Sequence, residues 1–249
     1  MNLQNKVALV TGGTRGIGAA AAIALSEQGA NVALAARRLD EEANRVRQKI
    51  EQLGRKCVLI QADVSKPGEA TAAVTKTARE LGAVDVLVHS AGGPVNGGLF
   101  DLTPESWAAA FDVHVHAIFH LCRAAIPGMK TKREGAIILV SSTAGIRGIK
   151  TNVAYQTVKG AIPQLTRALA FEFAPDNIRV NCVAPGVIRT DFHATMPPEV
   201  KKHNLENRIP LKREGTPEQV ATVVRELVTN DFITGETVVI DGGLTMRIA

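Results

Sequence analysis

Lys6-Val7-Ala8-Leu9-Val10-Thr11-Gly12-Gly13-Thr14-Arg15-Gly16-Ile17-Gly18 is a short apolar run of strand type that passes directly into a glycine-rich turn. An alanine-rich helical stretch, Ala19 to Gly29, follows at once. Glycines let a backbone approach a pyrophosphate closely. The first turn of a helix then offers free N–H groups to that charge. The spacing Gly12-x-x-x-Gly16-x-Gly18 is not the commoner G-x-G-x-x-G, and a glycine cluster by itself reads as readily as an ordinary turn. Its place between strand and helix makes it a dinucleotide cradle, with Gly12, Thr14, Arg15, Gly16, Ile17 and Gly18 as the expected contacts.

The alternation begun there continues to the C-terminus. Short β-branched runs at 6–11, 31–36, 57–61, 84–89, 136–141, 178–183 and 236–240 read as strands, with longer helical stretches between them. Such alternation predicts an α/β fold whose parallel strands are joined by right-handed helical crossovers. A chain of 249 residues buries a sizeable core as one domain, 1–249, and no linker-like, low-complexity or repeated segment divides it. Two helix starts are explicit, Thr103-Pro104-Glu105 and Thr216-Pro217-Glu218, each a capping threonine before a proline at the first helical position.

The second strand, Asn31 to Ala36, is followed by Arg37-Arg38. A carboxylate at that strand end would bind the 2′-hydroxyl of NAD and repel the 2′-phosphate of NADP. Ala36 stands there instead, and no acidic residue comes before Asp40. Arg15 and Arg37, with Arg38 beside them, suit charge-assisted hydrogen bonds to a 2′-phosphate. NADP(H) is the expected cofactor; the alternative makes these arginines ordinary surface residues.

Tyr155 is the chain's one tyrosine, and Lys159 follows it by four residues in a segment of helical propensity. Residues i and i+4 share a helix face. A nearby ammonium favours phenolate over phenol, so a tyrosine tuned this way can exchange a proton with a carbonyl oxygen near neutral pH. Such pairs also occur by chance, and their context gives them weight.

The glycine turn and this pair together resemble the short-chain dehydrogenase/reductase family, and are closest in pattern to its 3-oxoacyl-[acyl-carrier-protein] reductase-like members. The resemblance covers nearly the whole chain. Ala62-Asp63-Val64, Ser90-Ala91-Gly92, Val140-Ser141-Ser142, Arg179-Val180-Asn181, Pro185-Gly186-x-x-x-Thr190 and Asp241-Gly242-Gly243 fall in the family's order. The resemblance implies a Rossmann-type, doubly wound parallel sheet in the order 3-2-1-4-5-6-7, with helices on both faces and the cofactor across its C-terminal edge. It implies cofactor contacts from Asp63, Val64, Ala91, Gly92, Pro185, Gly186, Ile188 and Thr190, besides Tyr155 and Lys159. Tyr155 is then the proton donor or base, and Ser142 stabilises the developing charge on the substrate oxygen. Lys159 holds the nicotinamide ribose and lowers the tyrosine pKa. A substrate-covering lid at 187–212 and a homotetramer are implied too. Its interfaces would use helices near 103–129 and 153–174 and the C-terminal strand.

Several residues depart from the family pattern. His114 stands where the family has an asparagine that kinks its helix and holds a water serving the lysine. A backbone carbonyl in that role would leave His114 a tolerated substitution, whereas a titrating imidazole would add pH dependence. His89 and Ser90 replace two asparagines, so the bonds that steady the central strands must come from elsewhere. Pro163, four residues after Lys159, removes the helical partner of the Lys159 carbonyl, which predicts a local kink or a bound water. His114, His116 and His120 invite a zinc reading, but no cysteine completes a set and only Asp112 is near, so no metal is expected.

The chain carries 29 lysines and arginines against 24 acids, a net +5. The basic residues are dispersed and aromatics are too few for stacking platforms, so nucleic acid is not an expected partner. Cys57, Cys122 and Cys182 read as core residues of a reduced, cytoplasmic protein. No apolar run suits a signal core or a membrane span. Basic clusters at Lys130-Thr131-Lys132-Arg133 and along the expected lid (Lys201, Lys202, His203, Arg208, Lys212, Arg213) suit an acidic substrate or plain solvation. Pocket residues are expected at 93–100, 144–152 and along the lid, with Asn96, Arg147, Lys150 and His193 as polar handles. Arg133 suits docking of an acyl carrier protein, but Asp176 opposes it at the second expected docking place. Two alternatives to a 3-oxoacyl reductase-like enzyme remain: a sugar, polyol or other secondary-alcohol dehydrogenase, and an NADP-binding sensor or scaffold with weakened catalysis.

Overall fold

The computed structural model describes residues 1–193 and 196–246, and the His193 side chain lies outside what is described. Seven strands form one sheet: β1 (Val7–Thr11), β2 (Asn31–Ala36), β3 (Cys57–Gln61), β4 (Val86–His89), β5 (Gly135–Val140), β6 (Ile178–Pro185) and β7 (Thr237–Ile240). Their order is β3-β2-β1-β4-β5-β6-β7, and every pairing is parallel. The expected strands sit within two residues of these bounds, and the expected order holds. Strand order reverses between β1 and β4, so the loops leaving those neighbours diverge and open a crevice above the sheet.

The helices between the strands are α1 (Gly16–Glu27), α2 (Glu41–Gln52), α3 (Pro67–Leu81), α4 (Pro104–Phe111), α5 (Ala117–Lys132), α6 (Val153–Phe173), α7 (Pro198–His203) and α8 (Pro217–Thr229). Both faces of the sheet are covered, which is why the central strands are apolar throughout rather than alternating with polar residues. Side chains still alternate between faces. Leu9, Leu87, Ile137 and Val180 pack with residues of α3, α5 and α6. Ala8, Val10, Val86 and Ile138 pack on the other face with α1, α2 and α8.

Thr103 and Thr216 cap α4 and α8 as expected, each in a capping box closed by Ser106 or Gln219. Between α4 and α5 the chain makes one π-helical turn, Asp112–His116. This widened turn falls at the expected helix kink and centres on His114. Helix α6 runs from Val153 to Phe173 through Pro163. At that proline the Ser141 hydroxyl donates to the Lys159 carbonyl at 2.6 Å.

Candidate active site

The crevice is lined by backbone brought unusually close. A Cβ on Gly12 would lie 2.9 Å from the Ala91 nitrogen, and one on Gly18 would lie 2.2 Å from the Gly12 oxygen. The first turn of α1 therefore packs directly on the glycine turn, and that turn on the Ser90-Ala91-Gly92 segment. Arg15 precedes α1 with extended backbone and no side-chain cap, and the first turn of α1 holds no acid. Thr14 is buried beneath, and the Thr190 methyl closes the far side, 3.3 Å from where a Gly16 Cβ would stand. Pro185 ends β6, the Gly186 N–H donates to the Ile240 carbonyl at 2.9 Å, and Ile188 is buried. The structure thus brings the expected cradle residues to one edge of the sheet. The close-packed glycines and uncapped helix start fit a dinucleotide pyrophosphate.

At the end of β2, Arg37 and Arg38 are exposed. Burial pushes the Asp63 carboxyl up, but hydrogen bonds from the Ser65 side chain and backbone, with the charges of Arg37 and Lys66, leave it below the usual range. Arg15 does not stand free: its guanidinium pairs with Asp40 at 2.5 Å and Glu42 at 3.5 Å. Asp40 also accepts from the Ala43 N–H as the N-cap of α2. That carboxylate pair is a feature the sequence reading missed.

Ser142 leaves the end of β5, and Tyr155 and Lys159 stand one helical turn apart on α6. Ser142 accepts from the Ala144 N–H at 3.1 Å and is hydrogen-bonded to the Tyr155 phenol. Lys159 is 6% exposed and donates from Nζ to the Val140 carbonyl at 2.8 Å. Burial pushes its pKa down to about 8. The expectation that Lys159 lowers the tyrosine pKa is corrected here. Burial pushes Tyr155 up, and Ser142 supplies the opposing pull. The ammonium lies 5.7 Å from the ring centroid, turned to the Val140 carbonyl.

His114 is buried beside this group. Its ring meets Tyr155 edge-on at 5.8 Å, its Nε2 donates to the Gly93 carbonyl at 3.1 Å, and its Nδ1 is buried without a hydrogen bond. A Cβ on Gly92 would fall 2.2 Å from the ring, so the imidazole fits only against glycine. Burial and the Lys159 charge push the pKa of His114 down to about 3. The imidazole is therefore held towards its neutral form, which favours a tolerated substitution over the alternative of a titrating relay.

His89 replaces the lost asparagine bonds itself. Its Nε2 donates to the Val113 carbonyl at 3.1 Å, which leaves Nδ1 to accept from the Thr11 hydroxyl at 2.9 Å. Thr11 in turn accepts from the Ala91 N–H at 3.4 Å. One buried ring so joins the ends of β1 and β4 to the π-helical turn. Burial and the Lys159 charge push its pKa down to about 3.

The segment expected to cover substrate approaches Tyr155 through Phe192, ring centroids 5.8 Å apart. The expected handle His193 and residues 194 and 195 lie outside the described residues. Much of the basic cluster there is tied internally. Lys201 and Arg189 reach the buried Glu214 at 3.4 and 3.6 Å, Lys202 pairs with Glu206, and Arg208 donates to Asn204. Of the other handles, Arg147 donates to the Thr245 carbonyl at 3.0 Å. His116 bonds Asp112 at 2.8 Å and His120 meets the Phe119 ring edge-on. Among the described residues no three potential ligands gather for a metal, and no helix is long and apolar enough to cross a membrane.

Comparison with known proteins agrees with this geometry. A family model described as enoyl-(acyl carrier protein) reductase matches residues 12–245. The chain is 37% identical over 246 residues to the 3-oxoacyl-[acyl-carrier-protein] reductase FabG of Chlamydia muridarum, covering 97% of this chain and 98% of that one. It is 38% identical over 251 residues to a 3alpha-hydroxysteroid dehydrogenase of Mediterraneibacter gnavus, with 97% and 98% covered. A short-chain type dehydrogenase/reductase from Mycobacterium marinum superposes with a TM-score of 0.91 at 34% identity, over 99% of this chain and 98% of that one. L-sorbose reductase from Gluconobacter frateurii, complexed with NADPH and L-sorbose, gives 0.91 at 28% identity over 100% of both chains.

Proposed function

The chain belongs to the short-chain dehydrogenase/reductase family of oxidoreductases, and we propose that it moves hydride between NADP(H) and a carbonyl or secondary alcohol, with 3-oxoacyl-thioester-like compounds as the leading class. The observation that carries this reading is the gathering of Ser142, Tyr155 and Lys159 at one sheet edge beside the glycine cradle. Bound NADPH supplies the hydride. Tyr155 donates its proton to the carbonyl oxygen, and it accepts that proton back in the oxidative direction. Ser142 hydrogen-bonds the same oxygen as negative charge develops on it. Lys159, anchored on the Val140 carbonyl, holds a fixed cation at the base of the site. His114 stays neutral and packs the tyrosine ring in place.

The cofactor is held by Gly12, Thr14, Arg15, Gly16, Ile17 and Gly18 at the pyrophosphate, and by Asp63, Val64, Ala91 and Gly92 along the crevice. Pro185, Gly186, Ile188 and Thr190 complete the far wall. Arg37 and Arg38, both exposed, take the 2′-phosphate, and Arg15 joins them by exchanging the Asp40 and Glu42 carboxylates for it; Ala36 places no carboxylate at the strand end itself. The segment 187–212 acts as the lid within a single domain, 1–249. A homotetramer is supported by apolar side chains left on the expected interfaces: Phe119 at 52%, Phe171 at 89% and Val239 at 39% exposure. A cytoplasmic setting fits three free cysteines, two of them buried. Cationic groups at the end of α5 are engaged, Lys130 with Asp176 at 3.0 Å and Arg133 with the Pro175 carbonyl at 3.0 Å. These pairings favour a substrate presented free over one carried on a docked acyl carrier protein.

The test is a fluorescence titration with NADPH and NADH, then a carbonyl screen with NADPH: 3-oxoacyl thioesters of a small thiol, hydroxysteroid ketones and ketoses. Turnover that disappears in Tyr155→Phe while NADPH binding persists upholds the reading. A wild-type protein that binds NADPH and reduces none of the panel points to a sensor or scaffold. Preferential turnover of ketoses moves the substrate class to sugars, which the likeness to the sorbose enzyme favours.

A further inference from the structure

We infer that Ser141 is a positioning residue for Lys159, made indispensable in this chain by Pro163. The inference rests on the reading of Lys159 given above. A proline has no N–H to give the carbonyl four residues earlier. In α6 that carbonyl belongs to Lys159 itself, so the residue bearing the ammonium loses one of the helix's own ties. The Ser141 hydroxyl, 3% exposed, takes that place at 2.6 Å.

The arrangement grips one residue at both ends. Nζ of Lys159 donates to the Val140 carbonyl at 2.8 Å, and the Lys159 carbonyl accepts from Ser141. These two partners are consecutive, and the next residue along the chain is Ser142. Three neighbouring residues at the end of β5 thus supply the anchor for the ammonium, the anchor for its backbone and a hydroxyl of the site. The turn after them closes on the same peptide: a Cβ on Gly145 would fall 2.5 Å from the Lys159 carbonyl carbon and 2.6 Å from its oxygen. With Gly145 pressed there, the carbonyl depends on Ser141 for its donor. A buried carbonyl stripped of that donor will pull the helix turn from its register on β5, and small displacements of a catalytic group cost large factors in rate.

Pro163 makes the idea testable, because Pro163→Ala gives the Lys159 carbonyl a helical N–H again. Turnover of NADPH with the best carbonyl of the screen is compared in wild type, S141A, P163A and S141A/P163A, with melting temperatures measured alongside. S141A is expected to lower kcat about tenfold with KM for NADPH within about twofold, and to move the alkaline limb of the kcat–pH profile. It is expected to lower the melting temperature by about 5 °C. In the P163A background the same serine deletion changes kcat less than about threefold and melting by less than about 2 °C. Equal effects of S141A in both backgrounds, in rate and in melting, overturn the inference. An S141A enzyme with unaltered kcat and pH profile overturns it too, because a purely structural serine would move only the melt. Should S141A not fold, P163A against S141A/P163A decides: a tenfold gap refutes the coupling and near-equality supports it. Failure of the parent reading looks different, since K159A would then turn over at the wild-type rate.

Discussion

Replacing Lys159 by methionine removes a charge that folding must bury. Its ammonium is 6% exposed, and burial holds its pKa at about 8 against an ordinary 10.5. Below pH 8 folded and unfolded chains both carry this proton, and the folded state bears the full penalty of the buried charge. Between pH 8 and 10.5 the unfolded chain retains a proton that the folded chain has released, so stability rises with pH across that window. The gap of about 2.5 pH units corresponds to about 3 kcal/mol. Lys159→Met removes that penalty at neutral pH, and it also deletes the bond to the Val140 carbonyl, worth about 1 kcal/mol. The variant should be inactive and yet about 2 kcal/mol more stable at pH 7, melting roughly 4–8 °C higher. Its advantage should shrink through pH 8 to 10 and reverse at about pH 10, where the remaining penalty falls below the worth of the deleted bond. Thermal melts of both proteins across pH 7–11 measure this directly. A variant that melts below wild type at pH 7, with a gap independent of pH, would refute the view that Lys159 is held at an energetic cost.

Arg37→Ala should weaken NADPH binding about tenfold while NADH changes less than about twofold, read by cofactor fluorescence; equal losses for both would remove Arg37 from the 2′-phosphate site. His114→Asn should leave the shape of the kcat–pH profile between pH 5 and 8 unaltered, because the imidazole is already neutral there, with its pKa near 3; a step near pH 6 present in wild type and lost in the variant would contradict this. His89→Ala should destabilise the protein by about 3 kcal/mol in chemical denaturation, since it opens a cavity and removes the imidazole donor from the part-buried Val113 carbonyl. A loss under about 0.5 kcal/mol would mean that the Thr11–His89–Val113 link contributes little.

The sheet was legible because its strands are continuous apolar runs separated by helical stretches, and each run maps onto a strand with small shifts at its ends. The capping threonines were legible for the same local reason, since Thr103 and Thr216 satisfy donors within three residues of themselves. What the sequence hid were contacts between distant segments. Asp40 reaches Arg15 across 25 positions, a pairing set by the direction in which α2 leaves β2. Ser141 looked like a mere neighbour of Ser142 until α6 placed a donorless carbonyl against it. Spacing alone also gave the wrong sign for Tyr155. The i, i+4 rule brings the ammonium to the same face, but its Nζ turns to the Val140 carbonyl and burial raises the phenol, and burial is a property of the whole fold. The histidines were the reverse case: His89 and His114 looked like losses of asparagine, and each is a buried ring with a defined hydrogen bond, its pKa pushed down by burial.

The solitary tyrosine has a practical corollary. With one tyrosine in 249 residues, the near-ultraviolet signature of phenolate in this protein has a single source, Tyr155 beside Ser142. In an enzyme with many tyrosines such a signal is a crowd average; here an absorbance titration reads one proton on one oxygen in the unaltered chain. The ring centroid also lies 5.8 Å from that of Phe192, so any displacement of Phe192 changes the surroundings of the same chromophore. The molecule thus carries a built-in optical probe that reports the protonation of Tyr155 and its contact with Phe192 together, without a label.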